Sequence, residues 1–128
     1  MALVVALLTI AASTVDAKPL RGYPQRLRAT ATAYCQRGET KDGTPVHNGV
    51  LAADPRVLPL GSVVRLEVPD VGLAGIYTVN DTGSAVKGRI VDIFMWSCAR
   101  AKRFGRRSAI VHVLMRGAPL AVGVMVRR

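Results

Sequence analysis

The chain has 128 residues, enough for one domain with a single modest core, and 18 basic residues against 8 acidic ones leave a net charge of +10. Such a charge selects polyanions as partners: nucleic acid, anionic lipid headgroups or an acidic cell-wall polymer. Only 5% of residues are aromatic and no base-reading motif occurs, so charge is the one argument for nucleic acid, and no nucleic acid is expected.

Residues 1–17 read as a signal peptide: the apolar run Ala2 to Ala12 is followed by Ser13-Thr14-Val15-Asp16-Ala17, with small residues for cleavage. No Lys or Arg precedes the run, and the alternative is a buried N-terminal strand. A membrane span would take roughly 20 apolar residues, so none is expected here. Residues 18–27, with two prolines and three charges, read as a linker. The alternating run from Arg28 to Tyr34 is a strand, and the polar, Gly- and Thr-rich stretch from Gln36 to Gly49 is a loop that could hold a hairpin around Lys41-Asp42-Gly43-Thr44. Val50 to Ala53 is a short apolar segment ended by Asp54-Pro55. Further strands fall at Ser62 to Val68, Gly75 to Val79, Arg89 to Phe94 and Ser108 to Leu114. One short helix, Cys98 to Phe104, is capped by Ser97 and closed by Gly105. Residues 115–128 form a tail in which Leu120 to Val126 could add a strand. This pattern predicts an all-β domain, a small barrel or sandwich.

Cys35 and Cys98 either form a disulfide or remain two buried thiols, and export favours the disulfide. His47 and His112 stand alone in the sequence, so both are read as structural, and neither a metal nor another cofactor is expected.

The informative residues are acidic. Asp92 interrupts the apolar strand Ile90-Val91-Asp92-Ile93-Phe94, on the face shared by Ile90 and Phe94. A carboxylate on such a face is costly unless paired or protonated, and desolvation raises its pKa towards that of a general acid. The plainer reading is an edge-strand Asp that accepts backbone N–H groups. Asp81 opens Asp81-Thr82-Gly83 at the end of a strand; alone, this tripeptide suggests a dimeric aspartic protease. Asn80 is polar where those enzymes carry an apolar residue, which weakens that reading. Asp54 could organise a turn before Pro55 or join a site. Lys87 is a candidate substrate-binding cation or one more surface charge.

Five segments in order resemble the 3D domain, named for three aspartates. They are Ala31-Thr32-Ala33-Tyr34, Thr40 to Pro45, Leu51 to Ser62, Asp81 to Phe94, and Ala101 to Arg107 with the strand to Leu114. The resemblance covers residues 28–114 and implies a six-stranded double-psi β-barrel with one short helix, as in lytic transglycosylase A and stationary-phase muralytic proteins. It implies cleavage of the MurNAc–GlcNAc bond of peptidoglycan to leave 1,6-anhydro-MurNAc ends. Asp92 then corresponds to the acid/base, Asp81 and Asp54 to the other family aspartates, and Thr32, Tyr34, Thr40, Thr44 and Lys87 to positions near the substrate groove. The expected partners are peptidoglycan glycan strands and other anionic wall polymers, in a secreted or periplasmic, envelope-associated setting. The alternative is a non-catalytic wall-polysaccharide-binding barrel of the expansin type.

Overall fold

The computed structural model describes residues 25–118, so the expected signal peptide, most of the linker and the possible strand from Leu120 to Val126 lie outside the described residues. Six strands and one helix follow in order: β1 (Arg26–Tyr34), β2 (Val50–Ala53), β3 (Val63–Val68), β4 (Leu73–Asp81), β5 (Ile90–Phe94), α1 (Cys98–Phe104) and β6 (Arg107–Met115). The strands close into a barrel in the order β1-β5-β2-β4-β3-β6. β1 pairs with β5, and β2 with β4, in parallel, while the remaining pairs are antiparallel. This is the small double-psi β-barrel that the resemblance implies.

Closure follows from the alternation. Leu27 and Ala31 of β1, Val64, Leu66 and Val68 of β3, Val91 and Ile93 of β5, and Ala109 and Val111 of β6 point inward and are buried. Each fully buried Leu or Val is worth roughly 1.5–3 kcal/mol relative to exposure, so this interior holds the barrel together without large aromatics. Strand β2 is buried at all four positions because both of its faces are covered. Leu51 and Ala53 enter the barrel core, whereas Val50 packs outside it with Val46, Phe94 and Tyr34 in a second small cluster. That outer cluster lays the 35–49 loop over the β2–β5 wall.

At one end of the barrel Phe104 of α1 is buried in the core. Ser97 caps the helix by accepting from the Arg100 N–H at 3.2 Å. The disulfide Cys35–Cys98, spanning a sequence separation of 63, ties the residue after β1 to the first residue of α1. Beyond β6, the Gly117 N–H donates to the buried Ser62 hydroxyl at 2.9 Å. A Cβ at Gly117 would lie 2.1 Å from the Leu60 carbonyl oxygen, so only glycine fits this approach.

Two elements run further than their sequence signals. β1 begins at Arg26, because Arg26 and Leu27 pair with His112 and Val111 of β6. β4 runs from Leu73 through Asp81, two residues past each end of the Gly75 to Val79 signal, so the Asp-Thr-Gly acid is the last residue of the strand.

Candidate functional site

The barrel register places the suspect acids in one row. Thr32 of β1 is level with Asp92 of β5. Asp92 is level with Ala52 of β2, and Ala52 with Asp81 of β4. The row lies on the outer face, since Val91, Ile93 and Leu51 beside it fill the interior. Val79 also points inward, and a register shift between Leu51 and Ala52 skips Asn80, so that Asp81, two residues on, joins the row level with Ala52. Strands in a sheet are roughly 4.8 Å apart, so the Cα atoms of Asp92 and Asp81 are separated by about 10 Å across the small Ala52.

The two carboxylates are held very differently. Asp81 accepts three hydrogen bonds: from the Tyr34 hydroxyl at 3.2 Å, the Lys41 N–H at 3.0 Å and the Thr82 N–H at 2.9 Å. Tyr34 makes its bond from β1, reaching past β5 and β2 to β4. Asp92 accepts one side-chain hydrogen bond, from the Thr32 hydroxyl to Oδ1 at 2.8 Å. Burial on the apolar face pushes the Asp92 carboxyl above its ordinary range, the Thr32 bond opposes this, and the Asp81 charge adds to it. Tyr34 is pushed well above the usual phenol range, mostly by burial and then by Asp81, so it stays a protonated donor.

Asp54 is arranged to remain charged. It is 1% exposed and accepts from the Arg56 N–H, Nε and Nη2 and from the Gly88 N–H, at 2.8 to 3.1 Å. These bonds, led by the Arg56 side chain, hold its carboxyl well below the usual range. The turn reading of Asp54-Pro55 is realised too, because its carbonyl accepts from Val57 and Leu58. Gly88 takes a left-handed φ of +68°, which glycine adopts freely, and it lies two residues before β5. Asp54 thus joins the end of β2 to the start of the Asp92 strand.

Thr40 and Thr44 do not line the Asp92 row directly. Both hydroxyls bond Asp42 at 2.6 Å, and the Asn80 amide donates to the same carboxylate at 2.7 Å. These bonds hold Asp42 well below its ordinary range against the opposing effect of burial. The 39–45 turn is thereby docked onto Asn80, the residue before Asp81, and presents the Lys41 N–H to Asp81. Lys87 is exposed on the loop between Asp81 and Asp92. His47 bonds the Asn48 carbonyl group and His112 sits 3.4 Å from Glu67, away from the row.

Sequence reasoning missed Asp42, Asn80 and Trp96. Asp42 looked like an ordinary turn residue, and Asn80 was noted only as unlike a protease residue. The Asn80 Oδ1 is the one buried side-chain polar atom among the described residues that finds no partner. Trp96, 45% exposed, meets Phe94 edge-to-face at 4.9 Å, with the Arg37 guanidinium 5.4 Å from its ring. Phe94 in turn meets Tyr34 at 5.6 Å, so aromatic rings continue the floor from Tyr34 towards α1.

A row of side chains on the outer face of a closed double-psi barrel, with one restrained and one lightly held carboxylate, defines the class. The chain belongs to the 3D domain family, whose model matches residues 49–115. The cell wall-binding protein YocH of Bacillus subtilis is 36% identical over 99 residues, which cover 70% of this chain and 33% of YocH. The chain spans a third or less of the length of the curated relatives it matches. Among solved structures, Escherichia coli MltA with bound chitohexaose matches with a TM-score of 0.51 at 17% identity, over 64% of this chain and 29% of that one. An expansin of Clavibacter michiganensis, in complex with cellohexaose, matches with a TM-score of 0.55 at 15% identity, over 73% and 52%. At such identities the likeness establishes the fold alone. No helix among the described residues is long and apolar enough to cross a membrane. Wall-related relatives and a disulfide point to an extracytoplasmic setting.

Proposed function

We propose that this domain is a peptidoglycan lytic transglycosylase that cleaves the MurNAc–GlcNAc bond, with Asp92 as its single acid/base. The observation that carries this reading is the unequal treatment of the two carboxylates. Asp81 is oriented by three donors, while Asp92 is half-buried, bonded once, and biased towards its protonated form by burial and by Asp81.

Protonated Asp92 donates to the glycosidic oxygen as the C1–O bond breaks. The resulting carboxylate then accepts the proton of the C6 hydroxyl of the same MurNAc, whose oxygen closes on C1. The proton lost in the first half is regained in the second, so the enzyme returns to its starting state with an anhydro end on the glycan. The nucleophile is part of the substrate, and its proximity replaces the second catalytic carboxylate of an ordinary glycosidase. Thr32 holds the Asp92 carboxyl in position, Asp81 raises its proton affinity, and the Tyr34 hydroxyl steadies Asp81. Asp54 has a positioning role through Gly88, and Lys87, with the turn held by Thr40 and Thr44, borders the groove. The domain acts outside the cytoplasm on glycan strands of the wall.

Incubation with purified sacculi tests the reading: muropeptides with 1,6-anhydro ends are expected by mass spectrometry. A second reading is a wall-polysaccharide-binding barrel without catalysis, favoured by the name of YocH and by the expansin likeness. Sacculus binding without anhydro products selects that reading and rejects the first.

A further inference from the structure

Away from the Asp92 row, the end of the barrel closed by α1 carries a second concavity of about 420 Å³. The apolar residues Val71, Leu73, Met95 and Phe104 line it together with the basic residues Arg100, Arg103 and Arg107. Arg107 is fixed by donating from Nε to the Phe104 carbonyl group at 2.8 Å and by stacking 5.5 Å from the Phe104 ring. Arg100 and Arg103 are exposed on α1, and the ion pairs among the described residues engage Arg56, Arg65 and His112 instead. Asp70, in the 3-10 turn of Pro69–Val71, is the nearest acid in sequence, and it does not line the concavity.

The surroundings repeat the same sign. From Ile93 to Arg128 the chain contains eight basic residues and no acidic one. Among the described residues, Arg100, Lys102, Arg103, Arg106 and Arg107 enter no ion pair.

The geometry points to a binding site for a polymeric phosphodiester, an anionic wall polymer distinct from the glycan, seated with a phosphate among Arg100, Arg103 and Arg107. Three guanidinium groups set around one groove suit a tetrahedral phosphate, which accepts hydrogen bonds from several directions, better than a planar carboxylate that fits a single fork. The short carbon segments between phosphates would cover the apolar residues of the lining. Lys102 and Arg106, beyond the groove, would meet neighbouring repeats through screened charge. The site would hold the domain on the wall whether or not it cleaves glycan.

Titration calorimetry of the full chain with a short poly(glycerol phosphate) tests this. Arg100→Gln with Arg103→Gln is expected to weaken binding at least about tenfold. Lys102→Gln with Arg106→Gln removes the same charge from positions outside the groove and is expected to cost less than about threefold. Equal losses in the two double variants, no binding by the parent chain, or equal affinity for polyglutamate of matched length would each overturn the proposal. All four positions are exposed, and matched melting curves establish that both variants fold. Asp92→Asn should leave this binding unchanged, so failure here and failure of glycan cleavage are separable.

Discussion

Asp92→Asn should silence glycan cleavage while making the barrel slightly more stable. The side chain accepts one hydrogen bond, from the Thr32 hydroxyl to Oδ1, and an asparagine carbonyl can accept it in place. The packing cost is therefore at most about 1 kcal/mol, the worth of one ordinary hydrogen bond. Against it stands relief of what raises the Asp92 pKa: burial of the charged form and repulsion from Asp81. A raised folded-state pKa means that protonation favours folding. The contribution is fully present below the unfolded pKa and is lost as pH rises through the folded value. At neutral pH the wild-type charge is thus a cost, and Asn removes it. The melting temperature should rise near pH 7, with the gain disappearing in acid. Loss of general acid/base catalysis should lower cleavage about 10²–10⁴-fold, roughly 3–5 kcal/mol of barrier. Anhydro-muropeptide release from sacculi measures the rate, and thermal melts between pH 4 and pH 8 measure the stability. Undiminished cleavage by a folded variant would refute the role given to Asp92, and a large fall in melting temperature at pH 7 would refute the account of its environment.

Asp81→Asn removes the like charge that raises the Asp92 pKa, so the alkaline fall in cleavage rate should move to lower pH; a profile that stays in place contradicts the coupling. Asp54→Ala deletes the acceptor for Gly88 and Arg56 and should destabilise the fold by about 2–3 kcal/mol in urea titrations. Because the folded pKa of Asp54 is depressed, its contribution is fully present above the unfolded value of about 3.9 and is lost as pH falls from there through the folded value. The gap between wild type and Asp54→Ala should therefore narrow in acid, and a gap constant with pH counts against the charge argument. Reducing the Cys35–Cys98 bond, with its separation of 63 residues, frees a long loop and should cost about 4 kcal/mol by chain entropy; an unchanged urea midpoint would refute this.

Most of the strands were legible because period-two alternation is a local signal. Arg28 to Tyr34, Ser62 to Val68 and Ser108 to Leu114 all lie within a residue or two of the observed β1, β3 and β6. β2 was visible only as an apolar segment. Four residues buried on both faces do not alternate, and what covers the outer face, Tyr34 and Phe94, comes from other strands. Asp92 could be singled out because a charge in an apolar run is expensive wherever the strand ends up.

What the sequence by itself determined is the inventory: a basic, β-forming chain, a carboxylate set in an apolar strand, and the ordered segments of the 3D family. The tertiary structure decided which partner each acid meets. Thr32 reaches Asp92 across 60 positions, and Tyr34 reaches Asp81 across 47. Asp42, unremarkable in its turn, gathers Thr40, Thr44 and Asn80, while Asp54 is fully engaged by Arg56 and Gly88. The physical reason is that strand order and register come from long-range pairing, to which a local period is blind. A one-residue slip between β1 and β5 would turn the Thr32 side chain to the opposite face and leave Asp92 with no donor.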